Sequence, residues 1–224
     1  MFGFKALFEA WRGPGLVAKM FDEFEEMLSL VLEMFTVARE ACAGAADSEG
    51  ARARLRTTDK EVNRLQRSIR RQIVEHLIAN PGTDVPACLV LMSIVKDAER
   101  LGDYTKALFD AALMACPAVR GGEHAPEVRE METMVAGMMT DAKKALADSD
   151  EALANDIMSR EDAVKARCNS VIARLAGENL DGATTVTLTL MAQYLRRLAS
   201  HTANIASSVT NPVEWLDYKS KMPT

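Results

Sequence analysis

Residues 96–112 read KDAERLGDYTKALFDAA. At about 100° per residue in a helix, Leu91, Ile94, Val95, Ala98, Gly102, Thr105, Phe109 and Ala112 gather on one side. Glu99, Asp103, Lys106 and Asp110 form a second stripe, about 90–150° from the first by the same geometry. The apolar side predicts a helix docked on a core, and the charged stripe predicts its rim. Two carboxylates one turn apart admit two readings. Lys106 is spaced to pair with Asp103 and with Asp110, which makes the stripe a solvated, charge-paired face. Alternatively, Glu99 and Asp103 are half of a site for a hard or intermediate cation.

The same pattern returns further along the chain. Laid over ERLGDYTKALFDAA (99–112) at an offset of 97, the segment RRLASHTANIASSV (196–209) sets Arg197 on Arg100, Leu198 on Leu101 and Ala199 on Gly102. Thr202 falls on Thr105 and Ile205 on Leu108. An internal repeat of this period, built from helices, predicts two similar units in tandem.

Outward from these segments the chain reads as six long helices with a short leader. Apolar residues at Val17, Met20, Phe21, Phe24, Met27, Leu28, Val31, Met34 and Phe35 predict a helix over about 16–44. A second runs over about 51–79 and stops at Asn80-Pro81-Gly82; a third starts at Asp84-Val85-Pro86, with Asp84 as the expected cap. The run PAVRGGEHAPE, with two prolines and a glycine pair, reads as the linker. Three further helices follow over about 126–147, 150–176 and 181–209. The last opens with TTVTLTL, a strand by propensity, but its continuation has a helical period. The expected fold is all-α: two tandem three-helix bundles with a short N-terminal leader helix. The expected divisions are a leader over 1–15, units over 16–117 and 126–210, a linker over 118–125 and a tail over 211–224.

Composition agrees. Aromatic residues make up 5% of the 224, whereas good helix formers are plentiful. A net charge of −5 supplies no global basic field, so nucleic acid is not an expected partner. Cys42, Cys88, Cys116 and Cys168 form no CxxC, which argues against a disulfide framework or a zinc site and for a reducing compartment. The leader MFGFKALFEAWRGPG is too short to span a membrane and has no cleavage-like motif. Phe2, Phe4, Leu7, Phe8 and Trp11 there, with Trp215 and Tyr218 in the tail, predict a contact surface. A homodimer is expected, or docking of the leader on a membrane-bound partner.

In the second helix, Asp59, Asn63 and Gln66 fall on one line beside the apolar row of Val62, Leu65 and Ile69. Oxygen donors on the edges of two adjacent helices could converge with Glu99 and Asp103 on Mg, Mn or Fe. They could equally be hydrogen-bonding rim residues.

Two segments resemble the PhoU family. ERLGDYTKAL (99–108) is similar to its E-R-I-G-D-(Y/H)-x-x-N-(I/L) signature, and DKEVNRLQRSI (59–69) to its companion D-x-x-V-N-x-L-E-x-x-I helix. The resemblance covers the chain apart from the leader. It implies a tandem repeat of three-helix bundles that restrains phosphate uptake by a high-affinity transporter and reports to a sensor kinase; relatives accompany sodium–phosphate cotransporters. It also implies a cytoplasmic protein, peripheral to the inner membrane through its partner, with multinuclear metal clusters on the bundle surfaces. By position, Asp59, Glu99 and Asp103 match the metal ligands of the first repeat, for an Fe, Mn or Mg cluster. Gln66 and Ala107 depart from the pattern. In the second repeat Arg196 and Ser200 stand at the acid positions, and Lys165 where an acid or amide is expected, although Glu161 and Asp162 are near. His201, Asn204 and Ile205 keep the signature's tail, with His201 expected at the rim or as a ligand. One metal site is therefore expected, not two.

No nucleophile–base pair, glycine-rich phosphate loop or H-E-x-x-H is present, and His76, His124 and His201 supply no Glu-x-x-His pair. A non-catalytic regulator is expected, with a metal-free helical adaptor as the alternative.

Overall fold

The computed structural model describes residues 15–44, 48–115 and 117–216. Helices α1 (Leu16–Cys42), α2 (Ser48–Ala79) and α3 (Val85–Leu113) pack on one another as the first bundle. A short helix, α4 (Pro117–Gly121), leads to α5 (Ala125–Asp148), α6 (Glu151–Leu175) and α7 (Gly182–Thr210), which form the second. A 3-10 turn follows at Val213–Trp215. No strand occurs among the described residues.

The helices form where the apolar period says they should. Met20, Phe24, Met27, Val31 and Ala38 of α1 are fully buried against Val62 and Ile69 of α2 and Leu91, Val95 and Ala98 of α3. Each such large side chain contributes about 1.5–3 kcal/mol relative to exposure. Met131, Val135, Met138, Ile157, Val164, Val171 and Leu195 fill the corresponding space in the second bundle. The β-branched opening of α7 is helical because Thr184, Thr187, Leu188, Met191, Ala192 and Leu195 are buried at three- and four-residue spacing. Asp181 starts that helix, accepting hydrogen bonds from Thr184 N at 2.9 Å and Thr184 Oγ1 at 2.6 Å.

Two local expectations need correction. Asp84 does not cap α3 through its side chain: it sits in the left-handed region with φ 53°, and its Oδ2 lies 3.1 Å from His76 Nε2. The pairing with His76 ties the end of α2 to the start of α3. The expected linker 118–125 is also more ordered than its composition suggests. Pro117 opens α4, Val119 is buried, and Arg120 Nη2 donates to Ala112 O at 3.3 Å, satisfying a carbonyl at the end of α3. The leader, Cys116 and the tail beyond Leu216 lie outside the described residues.

The bundles meet mainly along α3 and α7, the third helix of each, with a lesser contact of α1 on α5. At the latter, Lys143 Nζ donates to Ser29 Oγ at 2.7 Å and Arg39 Nη2 to Thr133 Oγ1 at 3.2 Å.

Candidate functional site

The edge shared by α2 and α3 does bring the expected acids together. Asp59 reaches across from α2 toward Gly102 and Lys106, while Glu99 and Asp103 stand one turn apart on α3. Lys106 Nζ donates to Asp59 Oδ1 at 2.7 Å and to Asp103 Oδ1 at 3.1 Å. Arg100 approaches from the other side, with Nη1 3.1 Å from Asp103 Oδ2 and Nε 3.7 Å from Glu99 Oε2. Asp110, the other expected partner of Lys106, pairs instead with Arg52 at 2.9 Å. The lysine is drawn toward α2 because Asp59 of that helix and Asp103 of its own share it.

Ionisation follows this crowding. Partial burial, and then the neighbouring Asp103 carboxylate, hold Glu99 above the usual carboxylate range. Burial acts against the Lys106 ammonium, but its hydrogen bonds to Asp59 and Asp103 more than offset this and raise its pKa. Asn63 turns away from the cluster and donates from Nδ2 to Asp59 O at 2.9 Å along its own helix.

In the second bundle the equivalent edge, between α6 and α7, is organised around Glu161. Its side chain is buried, and its Oε1 accepts from Ser200 Oγ at 2.8 Å and from Lys165 Nζ at 2.5 Å. Lys165 thus supplies the positive charge expected there. Arg196 does not: it turns to Asn169 Oδ1 at 3.0 Å.

Between the two edges, at the seam of the bundles, lies a polar group that periodicity did not single out. Asp97 is fully buried; its Oδ1 lies 2.7 Å from His201 Nδ1 and accepts from Asn204 Nδ2 at 3.2 Å. Lys96 Nζ is 4.0 Å from its other oxygen. Tyr104 stacks on His201, with ring centroids 5.5 Å apart. His201 is therefore engaged by a carboxylate across the seam. The available signal was an acid flanked at helical spacing by Ile94 and Leu101, both buried.

The comparison with known proteins now has a structure to rest on. The family model described as "PhoU domain" matches residues 24–111 and again 128–209, one match for each bundle. The chain belongs to the PhoU family. A protein of Deinococcus radiodurans described only as uncharacterized is 27% identical over 202 residues, covering 86% of this chain and 72% of that one. A Pseudomonas putida protein described as "Phosphate-specific transport system accessory protein PhoU homolog" is 23% identical over 209 residues, covering 88% and 81%. The crystal structure of PhoU from Pseudomonas aeruginosa superposes with a TM-score of 0.75 at 23% identity, over 87% of this chain and 95% of that one. The phosphate transport system regulatory protein PhoU from Streptococcus pneumoniae gives 0.75 at 20%, over 86% and 92%. These likenesses establish the PhoU fold of tandem helical bundles.

The metal that the family resemblance implies does not fit Asp59, Glu99 and Asp103 as they are placed. The donor chemistry is suitable, since all three are carboxylates. The space between Asp59 and Asp103, however, holds the Lys106 ammonium, hydrogen-bonded to both. Among the described residues no three His, Cys, Asp or Glu side chains form a group that could hold a metal ion.

Proposed function

We propose that this chain is a non-catalytic regulator of phosphate uptake that acts by binding a subunit of a phosphate transporter or its sensor kinase. The observation that carries the reading is the double match to the PhoU domain, one on each bundle. The name of the Pseudomonas putida relative, an accessory protein of phosphate-specific transport, points to the same role. The protein works at the cytoplasmic face of the inner membrane, reaching the bilayer through its partner. No helix among the described residues is long and apolar enough to cross a membrane, which is compatible with that placement.

The test is phosphate uptake in the native cell with and without the gene, together with the proteins that co-purify with the tagged chain. Faster uptake in phosphate-rich medium after deletion, and recovery of a transporter subunit or sensor kinase, are expected. Unchanged uptake with neither recovered refutes the proposal. Recovery of a sodium–phosphate cotransporter instead would reassign the partner within phosphate transport.

A homodimer formed through the leader belongs to the same proposal. Light scattering should give a dimer for the whole chain and a monomer after residues 1–12 are removed. A monomer in both cases rules it out.

A further inference from the structure

We propose that Lys106 is the resident cation of the Asp59–Glu99–Asp103 cluster, so that this edge of the first bundle is charge-compensated by the chain itself and excludes a divalent metal. The inference goes beyond the regulatory role and does not depend on it.

Three observations carry it. First, the contacts of Lys106 are the ones a bound cation would have to displace. Its Nζ bridges acids from two helices, Asp59 of α2 at 2.7 Å and Asp103 of α3 at 3.1 Å. A metal bound to the same oxygens at about 2.0–2.6 Å would stand nearly on the ammonium, where the repulsion of like charges is severe. Second, Arg100 shares the remaining oxygen of Asp103 and approaches Glu99. The three acids thus face two fixed positive charges. Third, the second bundle uses the same device with a lysine from a different helix. There Lys165, four residues beyond Glu161 on α6, binds Glu161 Oε1 beside Ser200. In the first bundle the lysine comes from α3, three residues beyond Asp103. Internal compensation is thus built in both repeats by unrelated positions, one helix over from each other.

Removing the ammonium should therefore free Asp59 and Asp103 to close, with Glu99, on a divalent cation that the three acids cannot hold as now placed. Wild-type protein and Lys106→Met are equilibrated with Mn(II) or Fe(II), desalted and subjected to elemental analysis. The wild type should retain no stoichiometric metal. Lys106→Met should bind Mn(II) at least about tenfold more tightly, given the size of one removed charge at hydrogen-bonding distance. The gain should vanish when Asp59→Asn and Asp103→Asn are added. Retention of metal by the wild type, lost in Glu99→Gln/Asp103→Asn, overturns the proposal; so does a folded Lys106→Met that binds Mn(II) no better than wild type. Should Lys106→Met fail to fold, NMR of the wild type decides. Broadening of Asp59, Glu99 and Asp103 signals at one equivalent of Mn(II) counts against the proposal, and their insensitivity supports it.

Discussion

His201 Nδ1 lies 2.7 Å from Asp97 Oδ1, and the offset of 97 that relates the two repeats turns this contact into a second one. Asp97 corresponds to Tyr194, and Tyr104 to His201. The contact equivalent to Asp97–His201 is thus Tyr194–Tyr104, and those rings lie 6.3 Å apart. The third helices of the two bundles face each other as the two halves of a symmetric dimer do, each position meeting the equivalent of its partner's partner. One half of the seam has become polar and the other aromatic.

Asp97 is fully buried, so its hydrogen bond to His201 should weigh heavily in stability. His201→Ala is expected to cost about 1.5–3 kcal/mol, the range for hydrogen bonds to charged groups. Asp97→Ala should cost a similar amount, and the double variant less than the sum of the two. Urea unfolding of the four proteins measures the coupling. Strict additivity would show that the contact contributes nothing of its own.

Gly102 stands in the middle of a long helix inside the signature. A Cβ added there would meet Met34 Cε at 3.8 Å and Asp59 Oδ1 at 3.9 Å, both ordinary contacts. The equivalent position in the second repeat is Ala199, itself buried. Gly102→Ala should therefore stabilise the fold by about 0.5–1 kcal/mol through helix propensity. A lower thermal midpoint in the variant would mean that the glycine serves closer packing than the distances indicate.

Glu132 of α5 is buried where that helix meets α1. Burial raises its pKa above the model-compound value of 4.5, against the lowering effect of the Cys42 thiol hydrogen bond and of Arg39 and Arg129. A carboxyl whose folded pKa is raised keeps its proton longer in the folded state. Stability then falls as pH rises from the unfolded pKa through the folded one. Glu132→Gln should remove this loss, so its advantage over wild type should grow from pH 4.5 upward and then level off. Denaturation midpoints across that range, compared between the two proteins, provide the check; a constant difference would rule out Glu132 as the source.

The thiols of Cys42, Cys88 and Cys168 should be inert in the native protein. Burial pushes Cys88 and Cys168 up to about 11, and raises Cys42 as well, with Glu132 adding to the effect there. Without thiolate there is no nucleophile at neutral pH. Ellman's reagent should label Cys42, Cys88 and Cys168 only on unfolding. Rapid labelling of Cys88 or Cys168 in folded protein, located by mass spectrometry, would contradict their burial, and rapid labelling of half-buried Cys42 its raised pKa.

Much of the architecture was written in periodicity. The face of α1 from Val17 to Phe35 announces its own burial, and the matched segments 99–112 and 196–209 announce the pairing of bundles. What escaped is what periodicity does not encode. It placed Asp59, Glu99 and Asp103 on converging edges but could not say that Lys106 would turn toward α2 rather than toward Asp110, because that depends on the distance between helices. Asp97 was overlooked for the same reason: an acid within an apolar row gains meaning only from the residue opposite. The α4 helix escaped because Val119 is anchored by tertiary burial, against a composition that favours turns.

The seam has a further consequence, for axial alignment. Aliphatic surfaces on two helices can pack at several settings along their axes, since one leucine suits another's place. A carboxylate buried between them cannot be so indifferent. Sliding α7 along α3 by one turn would carry His201 and Asn204 about 5.4 Å away and leave Asp97 stranded, at a cost of several kcal/mol. On this hypothesis the pair works as a locating pin, forbidding slippage more than it adds strength. Asp97→Leu/His201→Leu, apolar and able to stay folded, should then retain its helix content but show duplicated NMR signals along α7; a single sharp set would remove the pin from the account.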